Sequence, residues 1–273
     1  MDDRTDELHS SVTGHAIRRL IIMQSKRAGV GHIGSALSAA DMLAVIYRHL
    51  LRAATPNDTD RDRFVLSKGH ASLALYAALF LRGWLAQETL DGFCGNETLL
   101  GVHPQHQLPG VDFSTGSLGM GLSYAAGAAL AARLERSHRR SFALLSDAEC
   151  NEGSTWEAVM FAAHHRLESL TAFVDMNGQQ ALGYTRDILS LGPLAGKFAA
   201  FGWEAIEVDG HDLEAMRSAA AAPTTGRPRA VICRTVFGKG ISFMERQVAW
   251  HYLPMTDADF SKAIAELDAA PCA

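Results

Sequence analysis

An aspartate and an asparagine stand thirty positions apart in this sequence, and each follows a short apolar run. Asp147 comes after Phe142-Ala-Leu-Leu145, and Asn177 comes after Thr171-Ala-Phe-Val-Asp175. Both runs have the length of buried parallel strands, and open α/β sheets bind ligands at the carboxyl ends of such strands. Mg²⁺ prefers oxygen ligands and commonly takes one or two carboxylates together with phosphate oxygens. Asp147, the Asn177 amide and a backbone carbonyl near Gln179 would supply such a set, which indicates a metal-bridged diphosphate site.

The same pattern has a purely structural explanation. A helical composition follows Asp147 from about residue 152 to 166, and an aspartate before a helix often caps its first turn. Taken by themselves, a strand, an aspartate and a helix leave both explanations open.

The elements that would position these residues alternate along the chain. Strands are predicted near 64–66, 142–146, 171–175, 204–208 and 230–236, and helices near 13–26, 38–51, 71–82, 121–134, 152–166, 193–201 and 212–222. This order predicts a doubly wound parallel sheet flanked by helices. We expect a single domain over residues 1–273, with an ordered core at about 10–268. Residues 91–117 show little periodicity, and a long irregular segment in a compact domain is typically functional.

Composition narrows the class of ligand. The chain has 273 residues, 48% of them apolar and 20% charged, and a formal net charge of −5 without a basic run. A soluble α/β domain with a small ligand fits these values better than a nucleic-acid or membrane surface. The four cysteines show no Cys-x-x-Cys pair, and residues 1–7 are acidic where a signal peptide is basic and then apolar. We therefore expect a cytoplasmic protein.

His32, His70, His103 and His251 are four of the twelve histidines, and each lies next to Gly, Pro or Trp in a turn-like context. Imidazoles that project into a cleft suit proton transfer and hydrogen bonding near neutral pH. The spacing His103-x-x-His106 could suggest zinc, but no second pair or carboxylate follows at metal-like spacing.

Five ordered blocks, together with the Asp147–Asn177 spacing, resemble transketolases. The blocks are Gly31-His-Ile-Gly-Ser35, Asp62-Arg-Phe-Val-Leu-Ser-Lys-Gly-His-Ala-Ser72, His103-Pro104, Ser114-Thr-Gly-Ser-Leu-Gly-Met-Gly121 and Trp250-His251. The spacing is similar to the thiamine-diphosphate motif, in which Gly-Asp-Gly precedes an asparagine by about thirty residues. The resemblance runs from about Gly14 to His251 and concerns the N-terminal half of transketolases, which binds the cofactor diphosphate.

The resemblance implies thiamine diphosphate and Mg²⁺ as cofactors, with Ca²⁺ or Mn²⁺ as substitutes for Mg²⁺, and it implies site residues. Metal ligands would be Asp147, Asn177 and Gln179. Cofactor contacts would come from His70, Gly116, Ser117, Leu118, Asp147, Ala148, Glu149, Asn177 and His251. Catalytic residues would be His32, His103, His251 and Glu152, with His32 and His103 on the ketose hydroxyls. Glu152 would face a subunit interface and also favour the start of a helix.

The sequence departs from the family motif at two positions. Ser146 and Ala148 stand where the resemblance expects glycines, beside the place of the diphosphate. Ala148 keeps its backbone N–H for a phosphate oxygen, and a methyl group is the smallest addition. A requirement for positive φ at position 148 would make the alanine costly.

In transketolases the glutamate that contacts the cofactor pyrimidine lies on the following domain. Since the chain ends at Ala273, we expect a separate chain to supply the pyrimidine-binding and C-terminal domains, as the C-terminal transketolase subunit of an α₂β₂ heterotetramer. The expected function is reversible transfer of a two-carbon ketol unit from a ketose or ketose phosphate to an aldose, in carbohydrate metabolism.

Two alternatives stay open. The chain could be part of another thiamine-diphosphate enzyme, such as a deoxyxylulose-phosphate synthase or a 2-oxo acid dehydrogenase, although the blocks around Lys68 and His103 argue against both. It could also be a non-catalytic binding protein with a degenerate cofactor site. Retention of Asp147, Asn177 and the four histidines argues against that decay.

Overall fold

The computed structural model describes residues 10–270. The acidic residues 1–7 lie outside this range. Within it, no helix has both the length and the apolarity needed to cross a membrane.

Within the described residues, seven strands form two sheets. Their bounds are β1 Arg63–Leu66, β2 Ser141–Ser146, β3 Leu170–Met176, β4 Gln179–Gln180, β5 Gly183–Tyr184, β6 Glu204–Asp209 and β7 Arg229–Arg234. The main sheet has the order β1-β2-β3-β7-β6 and every pairing in it is parallel. β4 and β5 form a small antiparallel hairpin directly after β3. All carboxyl ends of the main sheet therefore meet at one edge.

The main sheet separates two apolar layers, because successive side chains of a strand point to opposite faces. On β2, Phe142 and Leu144 belong to one layer, while Ala143 and Leu145 belong to the other. Burial on both faces explains why the strands read as continuous apolar runs in the sequence. The sheet is thus the middle layer of three.

Ten α-helices occur between residues 10 and 270. They are α1 Gly14–Ala28, α2 Ile33–Val45, α3 Ser72–Leu81, α4 Gln87–Leu90, α5 Gly121–Leu134, α6 Gly153–His164, α7 Thr185–Ile188, α8 Leu194–Ala200, α9 Leu213–Ala221 and α10 Asp257–Ala269. Helix α2 continues as a π-helical turn over Ile46–Leu50, and 3₁₀ turns cover Gly69–Ala71, Ala148–Asn151 and Val248–His251. Helices α1, α2, α3, α9 and α10 contribute to one apolar layer, and α5, α6 and α8 to the other.

The predicted strands are all present, within two residues at each end. Helix α2 begins at Ile33 and not near Ser38 as predicted. His32 precedes it with φ 60° and makes no side-chain capping bond, so the start carries none of the usual capping residues. The β4–β5 hairpin and the helices α4, α7 and α10 were not predicted. Helix α4 lies just before the irregular segment.

Candidate active site

Asp147 leaves the carboxyl end of β2 and faces the turn that follows β3. Its Oδ2 accepts a hydrogen bond from the Gly178 N–H at 2.9 Å, and its Oδ1 accepts one from the Ala148 N–H at 2.9 Å. Gly178 adopts φ +74°, which a glycine reaches without strain and which turns the chain after Asn177 toward Asp147. The two segments predicted to bind a metal are therefore brought together. Helix α6 begins later, after Glu152, so Asp147 caps the short 3₁₀ turn and not that helix.

The electrostatics of Asp147 fit a bound cation. The residue is 3% exposed, and burial, together with the nearby Asp175 carboxylate, raises its pKa to about 7. Hydrogen bonds from Gly178 and Ala148 act in the opposite direction and do not offset this. A divalent cation would favour the charged carboxylate. Within residues 10–270, no cluster of three or more His, Cys, Asp or Glu side chains could hold a metal. The predicted ligand set is a different kind of site, because it contains only one such side chain, together with an amide and a backbone carbonyl.

A fully buried ion pair lies under the predicted metal ligands. The Lys68 ammonium donates to Asp175 Oδ2, and both side chains are 0% exposed. The same oxygen accepts from Ser38 Oγ at 2.6 Å and from Asn177 Nδ2 at 3.1 Å, and Oδ1 accepts from the Thr235 hydroxyl. Although burial opposes it, Lys68 and these hydroxyl donors hold the pKa of Asp175 below its ordinary value.

The ion pair also orients the Asn177 amide. Because Asp175 accepts from the amide nitrogen, the amide oxygen of Asn177 is turned toward the chain at Gln179, whose N–H it accepts at 2.9 Å. The oxygen that would serve as a metal ligand is thus held in one orientation.

Ser146 and Glu149 bracket Asp147 with two reciprocal hydrogen bonds. The Ser146 hydroxyl accepts from the Glu149 N–H at 3.1 Å, and Glu149 Oε2 accepts from the Ser146 N–H at 3.3 Å. Ala148, between them, is not among the described residues with positive φ, and neither is Ser146. The positive-φ requirement considered at position 148 does not exist, so both side chains are tolerated by the backbone.

Three imidazoles surround the opposite side of the same region. The ring centroids of His32, His70 and His251 lie 5.3 to 5.7 Å apart. The His70 ring nitrogen Nε2 lies 2.9 Å from Ser35 Oγ, and the His251 ring stacks on Phe237 at an interplanar angle of 5°. The His32 N–H donates to the carbonyl of His251 at 3.3 Å, which joins the start of α2 to the distant Val248–His251 turn.

The surroundings of all three imidazoles favour the neutral form. Burial lowers the pKa of His32, with His103 adding to it, and burial lowers that of His70 well below the ordinary value, with Lys68 adding to it. Burial, followed by His32, lowers the pKa of His251 to about 4. A neutral imidazole offers one donor and one acceptor, so the group is suited to hydrogen bonding and proton transfer.

These groups line one cleft of about 180 Å³ at the carboxyl edge of the sheet. Its lining comprises His32, Ser35, His70, Gly116, Leu118, Ser146, Ala148, Asn177, Gln179, Gln180, Ala181, Phe237 and His251. Four buried polar atoms of these residues have no hydrogen-bond partner: His32 Nδ1, His251 Nδ1, Gln179 Oε1 and Gln180 Nε2. Buried polar groups are normally paired, so their convergence on one cleft indicates a polar ligand.

Five predicted residues lie outside this lining: Asp147, whose neighbours Ser146 and Ala148 belong to it, and Ser117, Glu149, His103 and Glu152. Ser117 is exposed between Gly116 and Leu118, and Glu149 is 0% exposed behind Ser146. The His103 ring lies behind Gly116, where a Cβ added to the glycine would stand 3.2 Å from it. Glu152 is exposed immediately before α6 and makes no side-chain capping bond.

Sequence reasoning missed several residues that build the cleft. Lys68 and Asp175 stand within segments that the sequence singles out, but their mutual contact joins positions 107 residues apart. Gln180 and Phe237 carried no signal. The one available hint was a charged residue, Asp175, inside a run that otherwise reads as a buried strand.

The fold and the cleft define a class of protein: an α/β protein with a polar ligand site at the carboxyl edge of a doubly wound parallel sheet. Comparison with known proteins makes the assignment more specific. Residues 10–271 match the family model described as transketolase, thiamine diphosphate binding domain. The chain belongs to this family.

Two relatives match the chain over nearly their whole length. A polypeptide of the 6-deoxy-6-sulfo-D-fructose transketolase of Clostridium sp. is 40% identical over 259 residues, covering 93% of this chain and 94% of the relative. A polypeptide of the apulose-4-phosphate transketolase of Phocaeicola vulgatus is 34% identical over 254 residues, covering 92% of this chain and 90% of the relative. Both relatives are named as transketolase subunits, and both are about as long as this chain.

Solved transketolases share the fold. The enzyme from Leishmania mexicana matches with a TM-score of 0.86 at 30% identity, covering 96% of this chain and 41% of that one. A Pichia stipitis transketolase variant in complex with fructose 6-phosphate matches with a TM-score of 0.88 at 29% identity, covering 96% of this chain and 40% of that one. The chain spans about two fifths of the length of these proteins. The predicted family, fold class and enzyme class are confirmed.

Proposed function

We propose that this chain binds Mg²⁺ and the diphosphate of thiamine diphosphate, and that it transfers a two-carbon ketol unit together with a separate C-terminal transketolase subunit. The observation that carries the proposal is one cleft that is lined by three imidazoles, by Asn177 and by Ser146 and Ala148, the two neighbours of Asp147, which itself binds the Gly178 N–H. Relatives of the same length that are named as transketolase subunits support the two-chain arrangement. We further propose an α₂β₂ assembly in the cytoplasm.

The metal would be held by Asp147, the Asn177 amide oxygen and the Gln179 carbonyl. The Ala148 N–H, in exchange for its bond to Asp147 Oδ1, and His70 would bind the diphosphate from the two sides of the cleft, with Gly116, Ser117 and Leu118 against the rest of the cofactor. Thiamine diphosphate, when bound, supplies the electron sink for cleavage of a ketose carbon–carbon bond. Glu149 would act on this site through protein contacts.

The remaining side chains would handle the sugar. His32 and His103 would bind ketose hydroxyls, and His251 would bridge the diphosphate and the substrate. Because the imidazoles of His32 and His251 are neutral, each can accept a hydroxyl proton at one nitrogen while donating from the other. Glu152, exposed at the start of α6, would contact the neighbouring subunit.

The identity of the donor sugar decides whether the enzyme acts in the pentose-phosphate pathway or on a specialised sugar. The two relatives are named for 6-deoxy-6-sulfo-D-fructose and apulose 4-phosphate. We propose a specialised ketose as the donor here as well.

The test is a turnover assay on the purified chain mixed with a candidate C-terminal transketolase subunit, in the presence of Mg²⁺ and thiamine diphosphate. Donors would be xylulose 5-phosphate, fructose 6-phosphate, 6-deoxy-6-sulfofructose and apulose 4-phosphate. Ketol transfer in the mixture, and in neither chain alone, supports the proposal. Turnover by this chain alone, or a mixture inactive with every donor although it binds the cofactor, would contradict it.

A further inference from the structure

We propose that Ser146 and Glu149 form a clamp that sets the shape of the diphosphate site before the cofactor arrives. The Ser146–Glu149 clamp consists of these two residues and of the groups that Glu149 binds, Ser67 and Gly119. The inference rests on the proposed function, because it assigns positioning residues to the same site. It also gives a reason for the serine that stands where the family resemblance expects glycine.

The first part of the clamp is a reciprocal pair of hydrogen bonds with the pattern of a capping box, although Asp147 is the residue that caps the 3₁₀ turn. In this motif a serine hydroxyl accepts the backbone N–H three residues on, and the glutamate side chain returns to the serine N–H. Ser146 and Glu149 make both bonds, at 3.1 and 3.3 Å. The two residues between them are Asp147 and Ala148, the proposed metal ligand and the proposed phosphate donor. Glycine at 146 could not supply the hydroxyl, so the capping box depends on the serine.

The second part of the clamp joins three chain segments. Glu149 Oε1 accepts from the Ser67 hydroxyl at the end of β1 and, at 2.7 Å, from the Gly119 N–H in the loop before α5. Ser67, Ser146 and Glu149 are at most 4% exposed. One carboxylate therefore ties the ends of β1 and β2 to the loop that carries Gly116 and Leu118, both of which line the cleft.

The loop packs tightly in the position that the clamp gives it. Gly119 adopts φ +85°, and a Cβ on it would lie 2.4 Å from Ser154 Oγ. A Cβ on Gly121 would lie 2.3 Å from Ser67 Oγ, so the loop runs directly against the serine that Glu149 holds. The Thr115 hydroxyl adds a bond of 2.7 Å to the Leu66 carbonyl.

Glu149 acts on the diphosphate indirectly. Both carboxylate oxygens accept from protein donors, and the side chain lies behind Ser146, outside the lining of the cleft. We therefore assign Glu149 as a positioning residue, in place of the direct cofactor contact that the family resemblance implied.

Three variants test the clamp in the full chain. Ser146→Ala removes the hydroxyl, Ser146→Thr keeps it, and Glu149→Gln places an amide donor against the Ser146 N–H or against Ser67 and Gly119. Thr256→Ala is the matched control, because Thr256 and Asp259 form the same capping box at the start of α10, away from the cleft lining. Circular dichroism and thermal unfolding establish that each variant is folded.

Two measurements follow. The first is the Kd of thiamine diphosphate in the presence of Mg²⁺, by titration calorimetry on the assembled subunits. The second is hydrogen exchange of residues 114–121 in the chain without cofactor. We expect Ser146→Ala and Glu149→Gln to raise the Kd by up to about tenfold and to speed exchange in the loop, because a smaller fraction of the molecules is competent to bind. Ser146→Thr should lie closer to the native chain than Ser146→Ala in both measurements, and Thr256→Ala should match the native chain.

The inference is overturned if Ser146→Ala and Glu149→Gln, while folded, leave both exchange and Kd unchanged, or if Thr256→Ala changes them equally. Faster exchange with an unchanged Kd would also overturn it, since the clamp would then be structural only. If the native assembly itself does not bind thiamine diphosphate, the proposed function fails. The exchange measurement then tests the clamp by itself: faster exchange in Ser146→Ala and Glu149→Gln shows that the clamp holds the loop, and unchanged exchange shows that it does not.

Discussion

At the scale of single residues, the cleft depends on side chains that are charged or polar and yet removed from water. Lys68 and Asp175 are completely buried and stabilise each other there. Lys68 also donates to the Ser35 carbonyl, and Asp175 also accepts from Ser38, Thr235 and Asn177. The pair fixes the Asn177 amide. Removing one member should thus damage stability and metal binding together.

Lys68→Met should lower the free energy of unfolding by about 3–5 kcal/mol, because it leaves the buried Asp175 carboxylate without its cation. The double variant Lys68→Met with Asp175→Asn removes both charges and should recover part of that loss. Urea unfolding followed by circular dichroism measures both. If the free energy of unfolding of Lys68→Met lies within about 1 kcal/mol of the native value, the pair is not buried as described.

The neutral histidines make stability depend on pH in a defined direction. His251 has a folded pKa of about 4, below its ordinary value of 6.5, so the unfolded chain binds more protons between these values. The contribution of the neutral ring is fully present above pH 6.5 and is lost as pH falls from 6.5 toward 4. His251→Gln should make the unfolding temperature less dependent on pH in this window. His138→Gln, which replaces an exposed histidine, should leave this pH dependence unchanged. If the unfolding temperature changes equally with pH in the native chain and in both variants, His251 is not the source of the dependence.

At the scale of elements, the sequence predicted the frame of the site but not the contacts that fasten it. Burial on both faces makes the strands readable as apolar runs, and Asp147 and Asn177 follow such runs, so their meeting at one edge could be predicted. The Lys68–Asp175 and Ser67–Glu149 contacts could not, because they join residues 107 and 82 positions apart, and local patterns carry no information on such pairs.

The starts of helices α2 and α10 were not predicted, for two different reasons. Helix α2 begins at Ile33 without a capping side chain, so no local signal marks its start. Helix α10 begins with the capping box of Thr256 and Asp259, which is a local signal that was overlooked.

Helix α5 offers a test of how closely the elements must approach. A Cβ on Gly121 would stand 2.3 Å from Ser67 Oγ and 2.6 Å from Ser67 Cα, so a backbone atom would have to move. Gly121→Ala should destabilise the chain by about 1–3 kcal/mol through overpacking. Gly127→Ala, in the same helix with no atom within 4 Å of its Cβ, should be neutral or stabilising by up to about 1 kcal/mol. Thermal and urea unfolding compare the stabilities of the two variants. If Gly121→Ala and Gly127→Ala change the stability equally, helix α5 does not make the close contact with Ser67 after β1.

At the scale of the whole molecule, exposed apolar side chains adjoin the cleft. Leu182 is 76% exposed and directly follows Ala181, which lines the cleft, and Leu253 is 53% exposed and lies two residues after His251. The hydroxyl of Tyr252 donates to the Ala181 carbonyl at 2.6 Å, so the two segments lie side by side. Contiguous exposed apolar surface is typical of an interaction site. This arrangement supports the proposal that a partner chain closes the cleft.

Leu182→Asp and Leu253→Asp should weaken association with the C-terminal subunit and leave the isolated chain folded, because a carboxylate would be buried without a partner in the interface. Leu134→Asp is the control, since Leu134 is 73% exposed at the far end of α5. Analytical ultracentrifugation of the mixtures reads out the assembly. If all three variants assemble like the native chain, this face is not the interface.

The central claim is that the Asp147–Asn177 turn holds a cation that bridges to a diphosphate, and its most direct test is calorimetric titration of thiamine diphosphate into the assembled subunits with and without Mg²⁺. The account predicts binding of one cofactor per copy of this chain that requires Mg²⁺, and that Asp147→Ala abolishes. Binding that is equally tight with a chelator present, or that survives Asp147→Ala, would contradict it.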